Sequence, residues 1–272
     1  MTDTLAPAQV NSPMTEMTVE AKDLPSRGLG YPAGTVVRYR SYSFGEIKKV
    51  STSNDIDLSQ IIEIVLSGVT VEKFDKYNMS FVDMLYIGLL RRVSSQGHLK
   101  YQMPYSCEKC EQVSQAIFGS GDIDFQEISQ EVTSLPIEID LAGEVFQFTF
   151  PTVRNMLDVK NNRKDKKKAK GSPALEVTAS TVINMDAETA YAKLSAITDQ
   201  DEMDLLNDID KLLFHDIKPV KAICKSKVDG ENGEISICNF ENFVDIEGKE
   251  LLIRPFRDGE TSPRNKIRFI GK

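Results

Sequence analysis

The sequence predicts an α+β protein, with a helical N-terminal half that carries a β-hairpin and a C-terminal half whose helices are followed by a small antiparallel sheet. Three observations predict this. Apolar residues recur at helical spacing between positions 58 and 93, alternate strictly between 137 and 150, and return to helical spacing from 187 to 214 before short strand-like runs close the chain. A length of 272 residues accommodates one large domain or two small ones.

Residues 1–22 have little periodicity and include Pro7 and Pro13, so they are expected to form a flexible arm that orders against a partner. The turn-forming run Leu24-Pro25-Ser26-Arg27-Gly28-Leu29-Gly30-Tyr31-Pro32 leads into a strand marked by Val36, Val37 and Tyr39. Ser43 followed by Glu46 has the form of a capping box, in which each side chain satisfies a backbone N–H at a helix start. Leu58, Ile61, Ile62, Val65 and Leu66 lie on one stripe of a second helix that stops at Gly68. A third helix opens at Ser80, with Asp83 three residues on, and is apolar nearly all round as far as Gly97, which marks it as the central buried helix. Glu111 to Phe118 is expected to be a short helical stretch. Ile137, Ile139 and Leu141, then Phe146, Phe148 and Phe150, read as a hairpin turning at Ala142-Gly143 whose phenylalanine face is covered by the core.

Lys160 to Lys170 contains only one acid, Asp165, and is followed by Gly171-Ser172-Pro173, so it is expected to be an exposed basic linker. The expected divisions are an arm at 1–22, an α+β domain at 23–158, the linker at 159–174 and a C-terminal α+β region at 175–272. The last region holds helices at Ala187–Ile197 and Met203–Phe214, then strands at Val220–Lys225, Glu234–Phe240, Leu251–Phe256 and Lys266–Ile270.

Composition excludes several functions. With 40% hydrophobic and 27% charged residues the chain is of ordinary globular type, and no apolar run is long enough to cross a bilayer. The N-terminus lacks the pattern of a secretory signal, so a cytoplasmic product is expected. Thirty-three basic against 41 acidic residues give a net charge of −8, which disfavours the whole surface as a nucleic-acid coat. Gly28, Gly30 and Gly34 do not have a phosphate-loop spacing and are read as turn residues; His98 and His215 are read as helix-end residues. No catalytic signature is present, and no enzymatic activity is expected.

The four cysteines, Cys107, Cys110, Cys224 and Cys238, carry the only chemistry in the spacing. Cys107 and Cys110 can reach one tetrahedral zinc from a tight knuckle. If the Asp229–Gly233 turn is centred on residue 231, Cys224 and Cys238 stand opposite one another on one face of a hairpin. Three readings stay open: a structural zinc shared by all four, buried apolar thiols, or redox and nucleophilic use. Four thiolates would leave no open coordination position, so a zinc here would be structural.

The strings Leu24 to Tyr31, Tyr42-Ser43-Phe44-Gly45-Glu46-Ile47-Lys48-Lys49, Phe81 to Arg91 and Tyr105-Ser106-Cys107-Glu108-Lys109-Cys110 resemble the baseplate hub assembly proteins of T4-like contractile-tailed bacteriophages. The likeness covers residues 23 to 118 and, more faintly, 224 to 256. It implies a late phage protein that helps build the central hub of the tail baseplate or remains in it, with hub subunits as partners and no active-site residues to carry over. The rival reading is a zinc-stabilised nucleic-acid-binding or regulatory module built from the cysteines and the Lys160–Lys170 run, and steep loss of binding with salt would mark it.

Overall fold

The computed structural model describes residues 15–52, 57–97, 100–164, 172–214, 217–229, 235–246 and Leu252. Helices and several small antiparallel sheets alternate along the chain, in agreement with the α+β class. The first sheet is antiparallel, in the order β1 (Glu16–Glu20), β2 (Val36–Arg40), β3 (Val69–Val71). Val37, Tyr39, Val69 and Val71 share its buried face, as the period-2 geometry of a strand requires. Helix α1 (Phe44–Thr52) follows β2, and α2 (Leu58–Leu66) and α3 (Phe81–Gln96) pack on the sheet. Ile61, Ile62, Val65 and Leu66 of α2 are buried, and α3 buries Val82, Met84, Leu85, Ile87 and Leu89.

β1 corrects the expected arm. Residues 16–20, read as flexible, pair with β2 from Glu16↔Arg40 to Glu20↔Val36, and Met17 and Val19 pack on the core. A short, half-buried edge strand offers only two apolar residues, too few to register as alternation. Residues 1–14 lie outside the described residues.

One charge organises this sheet and its helices. Arg91 of α3 is completely buried. Its Nε donates to the Arg40 carbonyl at 2.7 Å, its Nη1 donates to the carbonyls of Ile64, at 2.7 Å, and Val65 in the last turn of α2, and its Nη2 meets Glu46 at 3.3 Å. The Tyr42 ring lies 4.1 Å from the guanidinium carbon. Glu46 also accepts from Arg40 and from the Ser43 N–H, while its own N–H donates to Ser43 Oγ, so the expected capping box forms and is joined to the buried arginine. Burial pushes the Glu46 carboxyl up, but its bonds from Arg40, Ser67 and Ser43 outweigh that and hold it well below the usual carboxylate range. Gly68 is required because a side-chain carbon there would overlap the guanidinium.

No capping box forms at the start of α3. Ser80 precedes α3 without a side-chain cap, and Asp83 turns inward instead, accepting from the Ser26 N–H at 2.9 Å and the Tyr31 hydroxyl at 2.8 Å. The turn-rich segment is thereby fixed to the central helix, with Gly28 and Gly30 at positive φ as its turns demand.

Strands β4 (Lys100–Ser106) and β5 (Val113–Gly119) form a hairpin. The expected helix at 111–118 is therefore a strand: Ala116 and Phe118 alternate into the core, and Phe118 stacks on its cross-strand partner Tyr101 at 5.4 Å between centroids. The hairpin of β6 (Ile137–Leu141) and β7 (Glu144–Phe148) turns as expected, with Ala142 and Gly143 both at positive φ. Phe146, Phe148 and Phe150 are buried in a second cluster against α5 (Pro173–Ser180), α6 (Ala187–Ser195) and α7 (Gln200–Leu213). Between them α4 (Val153–Lys164) carries helix into the expected linker. Lys160 and Lys164 pair with Asp57 at the N-terminus of α2, and Arg163 pairs with Glu176 of α5 at 2.9 Å. These cations are thus engaged within the fold; 165–171 lie outside the described residues.

After α7 come two strand pairs, β8 (Val220–Ile223) with β11 (Glu241–Val244) and β9 (Lys227–Asp229) with β10 (Ile235–Ile237). Val220, Ala222, Val244 and Ile246 join the first core cluster, so these strands pack in the same core as β2 and β3. The strands expected at 251–256 and 266–270 lie outside the described residues apart from Leu252, which is buried in that cluster. His98 and His215 lie outside them as well. Among the described residues no helix is long and apolar enough to cross a membrane.

Two predictions follow from the buried charges. Arg91→Ala would remove the buried cation that ties α3 to the Arg40 carbonyl, the α2 carbonyls and Glu46, leaving Glu46 with Arg40, Ser43 and Ser67, and is expected to lower the unfolding free energy by about 3–5 kcal/mol in urea titrations. For Asp83, burial raises the carboxyl pKa to about 6 against the lowering effect of its bonds to Ser26 and Tyr31. The native state then holds this proton more tightly than the unfolded chain does, so the stability it contributes is complete below about pH 4 and is lost as pH rises through 6. Asp83→Asn should therefore gain on the wild type between pH 4 and 7, by on the order of 3 kcal/mol, and a difference that stays flat over that window would overturn the assignment.

Candidate functional site

Two hairpins distant in sequence deliver the four cysteines. β4 and β5 are joined by residues 107–112, a loop closed by the Cys107 N–H on the Gln112 carbonyl at 3.0 Å and the Glu111 N–H on the Cys107 carbonyl at 2.8 Å. Glu111 takes φ 57°, the left-handed turn that lets the loop double back. Cys107 and Cys110 lie on the inner side of this knuckle, Cys107 buried and Cys110 partly so.

Cys224 and Cys238 come from the second hairpin. The ladder of β8 with β11 and that of β9 with β10 are in one continuous register, which sets Cys224 opposite Phe240 and Cys238 opposite Ser226. Across the gap between the ladders, the Cys224 N–H donates to Phe240, the Cys238 N–H to Ser226 and the Asn239 N–H to Cys224. The expected direct pairing of Cys224 with Cys238 is corrected by this register: the turn is centred one residue later than the sequence suggested. A shift of one residue in the centre offsets the partners by two, and because side chains alternate with period 2, both cysteines remain on one face.

The four sulfurs converge. Cys107 Sγ lies 3.8 Å from Cys238 Sγ, Cys110 Sγ lies 3.7 Å from Cys224 Sγ, and all four lie within 4.8 Å of one another. Among the described residues this is the one grouping of three or more histidine, cysteine or acidic side chains placed to hold a metal ion. All four sequence-predicted site residues are thus brought together, by strands more than a hundred residues apart.

Polar hydrogens surround the sulfurs. Burial pushes the Cys107 thiol up, but the N–H groups of Cys110 and Lys109 and the Asn242 side chain outweigh it and bring its pKa to about 6. For Cys110, the Gln112 N–H lowers the pKa, and burial together with the other three thiols raises it, to about 12. Ser226 donates to Cys224 and lowers it. Such a cluster accepts its first negative charge readily and resists further charge unless a cation sits among the sulfurs.

Asn242 was not singled out in the sequence. It lies on β11, almost fully buried, with its Oδ1 accepting from the Glu108 N–H at 2.9 Å and its Nδ2 facing Cys107 Sγ at 3.6 Å and the Phe240 carbonyl at 3.0 Å. The available signal was its place in register with Val244, an amide where the alternation calls for an apolar residue.

The arrangement has the makings of a soft-cation site. The family model described as T4 bacteriophage base plate protein matches residues 14–246. No curated protein and no solved structure matches the chain.

Proposed function

Because the chain belongs to the family of T4 bacteriophage base plate proteins, we propose that it works in the central hub of the tail baseplate, through contacts with other hub proteins. The family match over most of the chain carries this reading. The protein helps assemble the hub in the host cytoplasm, in the manner of a chaperone, or stays in the virion as a subunit, and it catalyses no reaction.

The surface of the strands around the cysteines supports a contact role. Val113 and Ile117 stand on the exposed side of β5, and Ile235 and Ile237 on the exposed side of β10. Ile223 and Phe243 are diagonal neighbours on the outer face of the β8–β11 pair, and both are more than half exposed. Large apolar side chains held outward on ordered strands suit burial against another protein. In the same reading the chain holds one zinc ion on Cys107, Cys110, Cys224 and Cys238, and the metal fastens the two hairpins that present this surface.

Quantitative mass spectrometry of purified virions and of infected-cell lysate tests the assignment. A small whole number of copies per tail supports a retained subunit, and abundance in lysate with absence from virions supports a departing assembly factor. Absence from both overturns the hub reading. The double substitution Ile223→Asp and Phe243→Asp should leave the fold intact and lower the yield of complete baseplates several-fold, counted by electron microscopy of lysates.

A further inference from the structure

Resting on the zinc reading, we propose that the four cysteines form a closed, mononuclear tetrathiolate site and that Asn242 is its positioning residue, ordering the Cys107–Cys110 knuckle against the C-terminal strands.

The distances favour one ion at the centre. With Zn–S bonds of about 2.3 Å, neighbouring sulfurs of a regular tetrahedron lie about 3.8 Å apart. Two of the pairs stand at 3.8 and 3.7 Å, and each joins one cysteine of the knuckle to one of the C-terminal hairpin. A multi-iron cluster places metals and bridging sulfides between its cysteines and would spread the sulfurs beyond the 4.8 Å that contains all four here. Four thiolates around one divalent ion leave no open position and carry a net double negative charge, which the surrounding N–H donors from Lys109, Cys110, Gln112 and Ser226 are placed to spread.

Asn242 does what none of those backbone donors can. They belong to the same loops as the cysteines they face, whereas Asn242 reaches from β11 to the other hairpin. Its carbonyl oxygen takes the Glu108 N–H inside the knuckle, one of its amide hydrogens faces the Cys107 sulfur, and the other is tied to Phe240, the residue opposite Cys224. One side chain thus fixes a backbone group between two ligands, a ligand sulfur and the strand that carries a third ligand. An asparagine buried in a strand is costly unless its amide is satisfied, and here the groups that satisfy it are those of the metal knuckle. A residue that holds ligands in place before the ion arrives lowers the ordering cost of binding, and loss of such partners weakens metal affinity by about 10–100-fold.

The test measures zinc content and zinc affinity, by competition with a chromophoric chelator, for the full chain and for Asn242→Ala and Asn242→Asp. Cobalt(II) substitution adds the thiolate-to-metal charge-transfer spectrum. Asn242→Asp keeps the volume and the acceptor for Glu108 but loses the donor to Cys107, so it reports on positioning even where the smaller side chain impairs folding. The expected result is one zinc per wild-type chain, a tetrahedral cobalt spectrum, and about 10–100-fold weaker zinc binding with an altered charge-transfer band in both variants, at unchanged far-ultraviolet circular dichroism. A wild-type chain that binds no metal overturns the zinc reading and this inference together. A wild-type chain that binds one zinc, with variants of equal affinity and identical cobalt spectra, overturns the role of Asn242 alone.

Discussion

The burial of the Arg91 guanidinium is the constraint on which the N-terminal part of the fold depends. A cation removed from water must find all of its partners inside the protein, and this one takes them from three places at once: the end of β2 at Arg40, the start of α1 at Glu46, and the last turn of α2 at Ile64 and Val65. The partners on α2 are carbonyls at the negative end of the helix dipole, left unpaired by helix geometry, so the cation and the helix end satisfy each other. None of these elements can shift without stranding a charge or a carbonyl. The need for space at Gly68 follows from the same placement, since the connection from α2 to β3 runs against the guanidinium.

Asp83 is the counterpart, and the contrast between the two is instructive. Glu46 lies beside two arginines and stays ionised far into the acid range, whereas Asp83 has only neutral donors, and burial raises its pKa. The two carboxylates therefore respond to pH with opposite signs: the stability Glu46 contributes is complete above the usual carboxylate range and is lost as pH falls below that range toward its depressed native value, and the Asp83 contribution is lost as pH rises. Both nevertheless act on α3: Asp83 fixes the turn-rich segment to it, and Glu46 fixes the start of α1 to it through Arg91. The four cysteines meet over a longer reach, bringing Cys107 and Cys110 beside Cys224 and Cys238.

Much of this was legible in the sequence, and the failures have identifiable causes. α2, α3 and the β6–β7 hairpin declare themselves because their apolar residues face a core continuously, so local spacing and long-range burial say the same thing. β5 was misread because Val113, Ala116 and Ile117 also fit a helical stripe; what decides between the two is the stack of Phe118 on Tyr101, a partner outside any local window. Asp83 has the right offset from Ser80 for a capping box, but a donor pair more than fifty residues upstream competes for it and wins. The four cysteines were legible because hairpin register preserves the face even when the turn centre is placed one residue early. Asn242 was not singled out, because its alternation with Val244 marks only an inward position, and the partners that explain an amide there, Glu108 and Cys107, lie more than a hundred residues away.

The strings that carried the family likeness now have a physical content. Ser26 and Tyr31 in the first bind Asp83 in the third; Glu46 in the second binds Arg91, also in the third; Cys107 and Cys110 in the fourth meet the C-terminal hairpin. These residues partner one another across the fold. A likeness built from buried partners reports a shared frame, because replacing either member strands the other at a cost of several kcal/mol. The exposed faces of β5, β8, β10 and β11 stand under no such restriction. Their side chains are free to follow whatever surface they meet, so two proteins with the same frame can serve different neighbours. For a chain of this kind, the buried charges and thiolates identify the scaffold, and the outward isoleucines and phenylalanine are where differences in partner must be written.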